Sequence, residues 1–247
     1  MAFSTELSVL SHDIDTNCNA TPSAVVRYFQ ETVDRNMRCA SPSYQELFNR
    51  GLSFIVSRTA FKIYRPIKEY EVLSVSTWAV ETRSAAFPRC YTIDVGGERV
   101  AECVMTWALL DMKEDKLLRG SDFDTSCYGH GELLELPFPS RLRIPKEMEF
   151  KSVGEISVEF RDIDRNFHMN NTKYFDLLWG YIPSFEDFYL SECLMNFCGE
   201  AKLHEKIEVF ISDAEINEAD ELCYYFKTTA DGKPNIEAKL TLRKYNS

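Results

Sequence analysis

Three residues that can do acid–base chemistry and one amide fall at alternate positions in one short run: Asp162, Asp164, Asn166 and His168. Carboxylates, an amide and an imidazole held together can activate water, move a proton and hold a polarised carbonyl. In an extended segment, alternate side chains share one side of the chain. Apolar residues at Ile156, Val158 and Phe160 predict a strand before the run, and Tyr174, Leu177, Leu178 and Tyr181 predict a helix after it. Asn170 or Asn171 is placed to cap that helix. Asp, Asn and His also populate ordinary turns, so any one of them is explained by a strand-to-helix junction. Four in register, with a histidine among them, point to function.

The elements that position this run occur twice. Asp13-Ile14-Asp15-Thr16-Asn17-Cys18-Asn19 matches Asp162-Ile163-Asp164-Arg165-Asn166-Phe167-His168. Each copy follows an alternating strand and precedes a helix. In the first copy Thr21 is a cap, Pro22 takes the first helical position, and Val25, Val26, Phe29, Val33 and Met37 form an apolar stripe. Strands are predicted at 52–63, 72–84, 90–95 and 99–110 in the first half, and at 193–198, 206–216, 222–229 and 235–243 in the second. Gly96-Gly97 and Asp231-Gly232 read as hairpin turns. Strand, helix and antiparallel meander, twice, make a duplicated α+β unit. A Gly/Pro/Ser-rich stretch from Gly120 to about Pro145, including Pro137, Pro139 and Ser140, reads as the join. The imidazole is present only in the second copy, because Asn19 stands opposite His168. That difference suggests one active site, in the second half, with the first half free to shape a pocket.

The pattern Asp-Ile-Asp-x-Asn-x-His-x-Asn-Asn-x-Lys-Tyr closely resembles the signature of the acyl-acyl-carrier-protein thioesterases of plants and bacteria. The resemblance covers nearly the whole chain, and Ala101–Asp111 looks like the family's last strand of the first half. It implies an α+β double hotdog: an N-terminal unit over 1–119 that forms the acyl pocket, a linker over 120–150, and a catalytic unit over 151–247. Leu194–Leu203 matches the strand where the family carries its catalytic glutamate, which would be Glu200. Many plant members have Cys next; Ala201 stands there here, so the resemblance implies a carboxylate rather than a thiolate mechanism. Asp164 or Glu200 would then activate water or attack the thioester, with Asn166 and His168 positioning water or substrate and stabilising charge on the carbonyl oxygen. No cofactor and no metal are implied. The partner implied is acyl carrier protein bearing a fatty acyl phosphopantetheine. Arg141, Arg143, Lys146 and Lys151 form the best basic cluster for docking it. The alternatives are a hotdog thioesterase acting on acyl-CoA and a non-catalytic acyl-binding hotdog protein. A monomer and a homodimer are both open.

Composition narrows the remaining classes. A chain of 247 residues with 45% hydrophobic residues suits an ordinary globular protein. A net charge of −11 argues against a general nucleic-acid binder. No apolar run reaches the roughly 18–20 residues of a membrane span. The N-terminus reads directly as a strand, without signal-peptide or transit-peptide character, which predicts a cytoplasmic protein. The eight cysteines show no metal-ligand spacing and read as free, mostly buried thiols in a reducing compartment. Trp78, Trp107 and Trp179 read as core.

Overall fold

The computed structural model describes residues 1–245 except residues 140 and 184, so Ser140 of the expected linker and the last two residues lie outside the described residues. In chain order the elements are β1 (Phe3–Ser8), α1 (Pro22–Cys39), α2 (Tyr44–Arg50), β2 (Leu52–Ile63), β3 (Val72–Ala79), β4 (Phe87–Val95), β5 (Glu98–Asp111), β6 (Lys116–Leu118), β7 (Lys151–Ser157), α3 (Asn171–Trp179), β8 (Phe188–Phe197), β9 (Lys206–Ile211), β10 (Glu215–Ile216), β11 (Leu222–Ala230) and β12 (Lys233–Lys244).

The strands form one antiparallel sheet in the order β1-β3-β4-β5-β2-β8-β12-β11-β9-β7, with β6 on β5 and β10 on β11. The order is a palindrome of equivalent elements: β1 answers β7, β3 answers β9, β4 answers β11, β5 answers β12, and β2 answers β8. This is the double hotdog that the family resemblance implied, built on the duplicated unit. The halves meet where β2 pairs with β8, from Arg58 opposite Asn196 to Lys62 opposite Glu192. That pairing buries an edge strand from each half, removing two sites of unwanted strand addition.

Both long helices lie on the same face of the sheet and pack beside each other. Thr21 caps α1 by accepting from the Ala24 N–H, and Pro22 opens it, as expected. Its stripe of Val25, Val26, Phe29, Val33 and Met37 is buried. Phe175 of α3 packs its ring 5.8 Å from that of Phe61 on β2, so the helix of the second half sits on a strand of the first. The hairpins turn at Gly96-Gly97 (φ 58° and 88°) and Asp231-Gly232 (φ 45° and 77°), left-handed conformations that those residue types supply at little cost.

The linker crosses the opposite sheet face. The Trp78 indole donates to the Glu132 carbonyl at 2.7 Å, the Leu134 N–H donates to Cys90 Sγ at 3.3 Å, and the Lys227 ammonium lies 4.5 Å from the Phe150 ring centroid. Leu142 is buried in this crossing.

Three expectations are corrected. The strand before the second run ends at Ser157; Phe160–Asp162 make one turn of 3-10 helix, and Phe160 is 81% exposed rather than part of an apolar strand face. Residues 206–216 are two strands, not one. The cysteines are all free, but Cys18, Cys39, Cys127 and Cys198 are exposed, so half of the eight are not buried.

Candidate active site

The run from Asp162 to His168 is folded back on itself instead of extended. The Asp164 N–H donates to the His168 carbonyl at 2.9 Å, and the Phe167 N–H to the Asp164 carbonyl at 3.0 Å. Asp164 Oδ1 accepts from the Asn166 N–H at 2.8 Å, and Phe167 is left-handed with φ 64°. The one-sided arrangement read from alternation therefore does not exist. The turn brings the same residues to one place by another route, and Asp164 spends one carboxylate oxygen holding it.

Backbone pairing then sets the histidine beside its partner. His168 bridges Lys202 in antiparallel fashion, and the Met169 N–H donates to the Ala201 carbonyl at 2.8 Å. These contacts lay residues 168–169 alongside 200–202, and His168 Nε2 stands 2.9 Å from Glu200 Oε2. Asn170 caps α3, accepting from the Thr172 N–H and Oγ1, both at 2.9 Å. The first turn of α3 thus opens beside the pair, with the partial positive charge of a helix N-terminus.

Asp164, Asn166, His168 and Glu200 all line one cavity of about 390 Å³. Its other wall comes from the first half: Gln30, Asp34 and Met37 of α1, Tyr44 of α2, Phe54 of β2 and Trp107 of β5. Trp107, expected as plain core, is a wall residue. The first half also holds the candidate turn directly. The Tyr44 hydroxyl donates to Asn166 Oδ1 at 3.2 Å, which leaves the amide nitrogen as a donor for a ligand. The Arg165 guanidinium lies 4.1 Å from the Tyr44 ring centroid and 3.5 Å from the Asp34 carboxylate. Burial pushes the Asp34 carboxyl above its ordinary pKa, partly offset by Arg165. Tyr44, Asp34 and Gln30 were not singled out from the sequence. Gln30 and Asp34 lie one helical turn apart, but nothing in the sequence says which face of α1 meets the second half.

Cys198 also lines the cavity. Burial pushes its thiol up, and Glu237 adds to this, so the group is held away from the reactive thiolate. Of the expected docking cations, Arg141, Arg143 and Lys146 are exposed, belong to the linker crossing and do not line the cavity. Lys151 pairs with Asp213 at 2.6 Å.

The first copy is an internal control. Its turn repeats the same bonds: Asp15 N–H to Asn19 carbonyl at 2.8 Å, Cys18 N–H to Asp15 carbonyl at 3.1 Å, and Ala20 N–H to Ile67 carbonyl at 2.8 Å. By that equivalence Asn19 stands for His168 and Pro66 for Glu200. The space beside them is about 20 Å³ and is closed by Trp179, Tyr189 and Tyr245. Asn19 donates from Nδ2 to the Tyr245 hydroxyl at 3.0 Å, while its buried Oδ1 has no partner among the described residues.

Residues 1–122 match the family model of the acyl-ACP thioesterase N-terminal domain, and residues 145–244 that of the C-terminal domain. The chloroplastic acyl-acyl-carrier-protein hydrolase FATB2 of Cuphea viscosissima is 22% identical over 191 residues, which are 70% of this chain and 45% of that protein. The chain therefore spans a little under half the length of this curated relative. Among solved structures, a Lactobacillus plantarum protein assigned as an oleoyl thioesterase aligns with a TM-score of 0.86 at 17% identity, covering 100% of this chain and 98% of that one. An acyl-ACP thioesterase from Bacteroides thetaiotaomicron aligns at 0.84 and 15% identity, covering 98% of each chain. The 12:0-ACP thioesterase from Umbellularia californica aligns at 0.81 and 15% identity, covering 99% and 94%. At these identities the structures establish the shared fold.

Proposed function

The chain belongs to the acyl-ACP thioesterase family, and on that footing we propose that it hydrolyses fatty acyl thioesters on acyl carrier protein, releasing the free acid and the carrier thiol. The observation that carries this reading is the His168–Glu200 pair, 2.9 Å apart on the wall of a 390 Å³ cavity whose far side includes Met37, Phe54 and Trp107. Glu200 takes a proton from water as the water oxygen bonds to the thioester carbon. The carbonyl oxygen, gaining charge, is met by the Asn166 amide nitrogen and the first turn of α3. The C–S bond then breaks, and the departing sulfur takes the proton back from the carboxyl. His168 orients the carboxylate through Nε2. Asp164, committed to the turn, holds Asn166 in place. The acyl chain lies against Met37, Phe54 and Trp107, so the unit over 1–119 supplies the pocket and the unit over 151–247 the chemistry. Eight free cysteines suit a reducing compartment such as the cytoplasm.

Thiol release measured with acyl-carrier and acyl-CoA substrates of several chain lengths tests the assignment. Turnover of the carrier substrate supports it, efficient turnover of acyl-CoA alone moves it to that class, and binding without release leaves an acyl-binding protein. Glu200→Gln keeps size and hydrogen bonding but removes the base, so it should lower turnover by about 100-fold or more and spare substrate binding. Single-turnover hydrolysis in ¹⁸O-water tests the competing direct attack: label in a protein carboxylate would show an anhydride intermediate.

A further inference from the structure

The catalytic turn differs from its copy on the outside as well as inside. The bonds that define both turns extend outward to the preceding residues: the Asp162 N–H donates to the Glu159 carbonyl, and the Asp13 N–H to the Leu10 carbonyl, each at 2.9 Å. Position by position, the catalytic copy has Phe160, Arg161, Arg165 and Phe167 where the other has Ser11, His12, Thr16 and Cys18. Phe160 and Phe167 are 81% and 75% exposed. Both turns are left-handed at this position, φ 64° at Phe167 and 56° at Cys18, a conformation that costs a bulky side chain on the order of 1 kcal/mol or more, and only the catalytic copy places a large ring there. The ring lies outside the core, and only the backbone of this residue bonds into the turn. It stands in sequence between Asn166 and His168, both of which line the cavity.

We propose that Phe160 and Phe167, flanked by Arg161, Arg165 and Lys202, are the docking surface for acyl carrier protein. The inference rests on the thioesterase reading above. An acidic partner is repelled at long range by a chain of net charge −11, so capture has to come from close-range cations and apolar contact at the mouth. The side chains of Arg161 and Arg165 are 77% and 58% exposed although each has a carboxylate nearby, Glu159 at 3.3 Å and Asp34 at 3.5 Å. Lys202 is exposed and pairs through its backbone with His168. The two rings supply the apolar anchors that a wet, charged rim otherwise lacks. Docking here delivers the pantetheine arm directly to His168 and Glu200, whereas the linker cations lie on a segment that crosses the other face of the sheet.

The test compares the acyl carrier substrate with the same acyl group on N-acetylcysteamine. The variants are Phe160→Ser, as in the first copy, and Phe167→Asn, which suits a left-handed position. Each should raise KM for the carrier substrate by about tenfold or more, in line with loss of an interface anchor. Turnover of the surrogate should stay within about twofold and melting should be unchanged or higher for Phe167→Asn. An unchanged carrier KM overturns the proposal. So does an equal loss on both substrates, which would make the rings part of the site, or a carrier KM that responds instead to Arg141→Glu with Arg143→Glu. If the wild type hydrolyses the surrogate but not the carrier substrate, the partner is wrong; if it hydrolyses neither, the thioesterase reading falls and this surface with it.

Discussion

Asn166 is held from outside its own half. Tyr44 lies 122 residues away in sequence, yet its hydroxyl fixes which end of the amide is free. Tyr44→Phe keeps the ring under Arg165 and removes only that bond. It should lower kcat by about tenfold with little change in KM, because a misoriented donor acts in the transition state. The same change made on an Asn166→Ala background should have no further effect, and an additive loss would show that Tyr44 acts elsewhere. Asp34 gives a second reading at this scale. Its carboxyl titrates higher in the folded protein than in the unfolded chain because it is partly buried, an effect Arg165 reduces, so the native state binds the proton more tightly. Stability from this group is present at low pH and is lost as pH rises through the folded pKa. Asp34→Asn should therefore raise the melting temperature relative to wild type above that range, with the difference vanishing in acid. His168 was legible as chemistry from its type and from its absence in the first copy. Glu200 was legible only through the family resemblance, since an isolated Glu on a strand end looks solvated. Tyr44 and Asp34 were not legible: contacts across so much sequence leave no local pattern.

Among the elements, α3 depends most on one residue. It has nine residues, too few to persist without a cap and packing. Asn170→Ala should cost about 1 kcal/mol, equivalent to roughly 2–4 °C in melting temperature for a domain of this size. Activity should fall as well, because the turn that frays is the one the proposed mechanism sets against the thioester. β2 was predicted to the residue from its β-branched and aromatic content, although its burial does not alternate and a bulge lies between Val56 and Arg58. α2 went unread: seven residues with only Leu47 buried give no periodicity. Its signal was in the caps, Ser43 with Glu46 as a capping box and Gly51 left-handed at the end. The turn after β7 was misread because alternating polar residues look the same in a strand and in a tight loop; Asp and Asn, which bond their own backbone, were the warning.

At the scale of the molecule the seam between β2 and β8 decides whether a site exists at all. Lys62 and Glu192 meet there at 2.6 Å, with side chains 8% and 19% exposed. Lys62→Met leaves a carboxylate stranded and should cost about 3–5 kcal/mol in urea unfolding, while Lys62→Met with Glu192→Leu should recover most of it. The duplication was readable from repeated phrases, but the order of strands in the sheet was not. The seam was not, because β2 and β8 each read as ordinary strands, and only the closed sheet shows that they are neighbours. Placing both units on one chain has a further consequence. Assembly of the cavity is a ring closure, so it has no dissociation constant and does not come apart on dilution; specific activity should stay constant down to nanomolar enzyme. In a symmetric pair of identical subunits every substitution is made twice. Here each is made once, so one turn carries Asn19 and Pro66 sealed by Tyr245 while the other carries His168 and Glu200 on an open cavity.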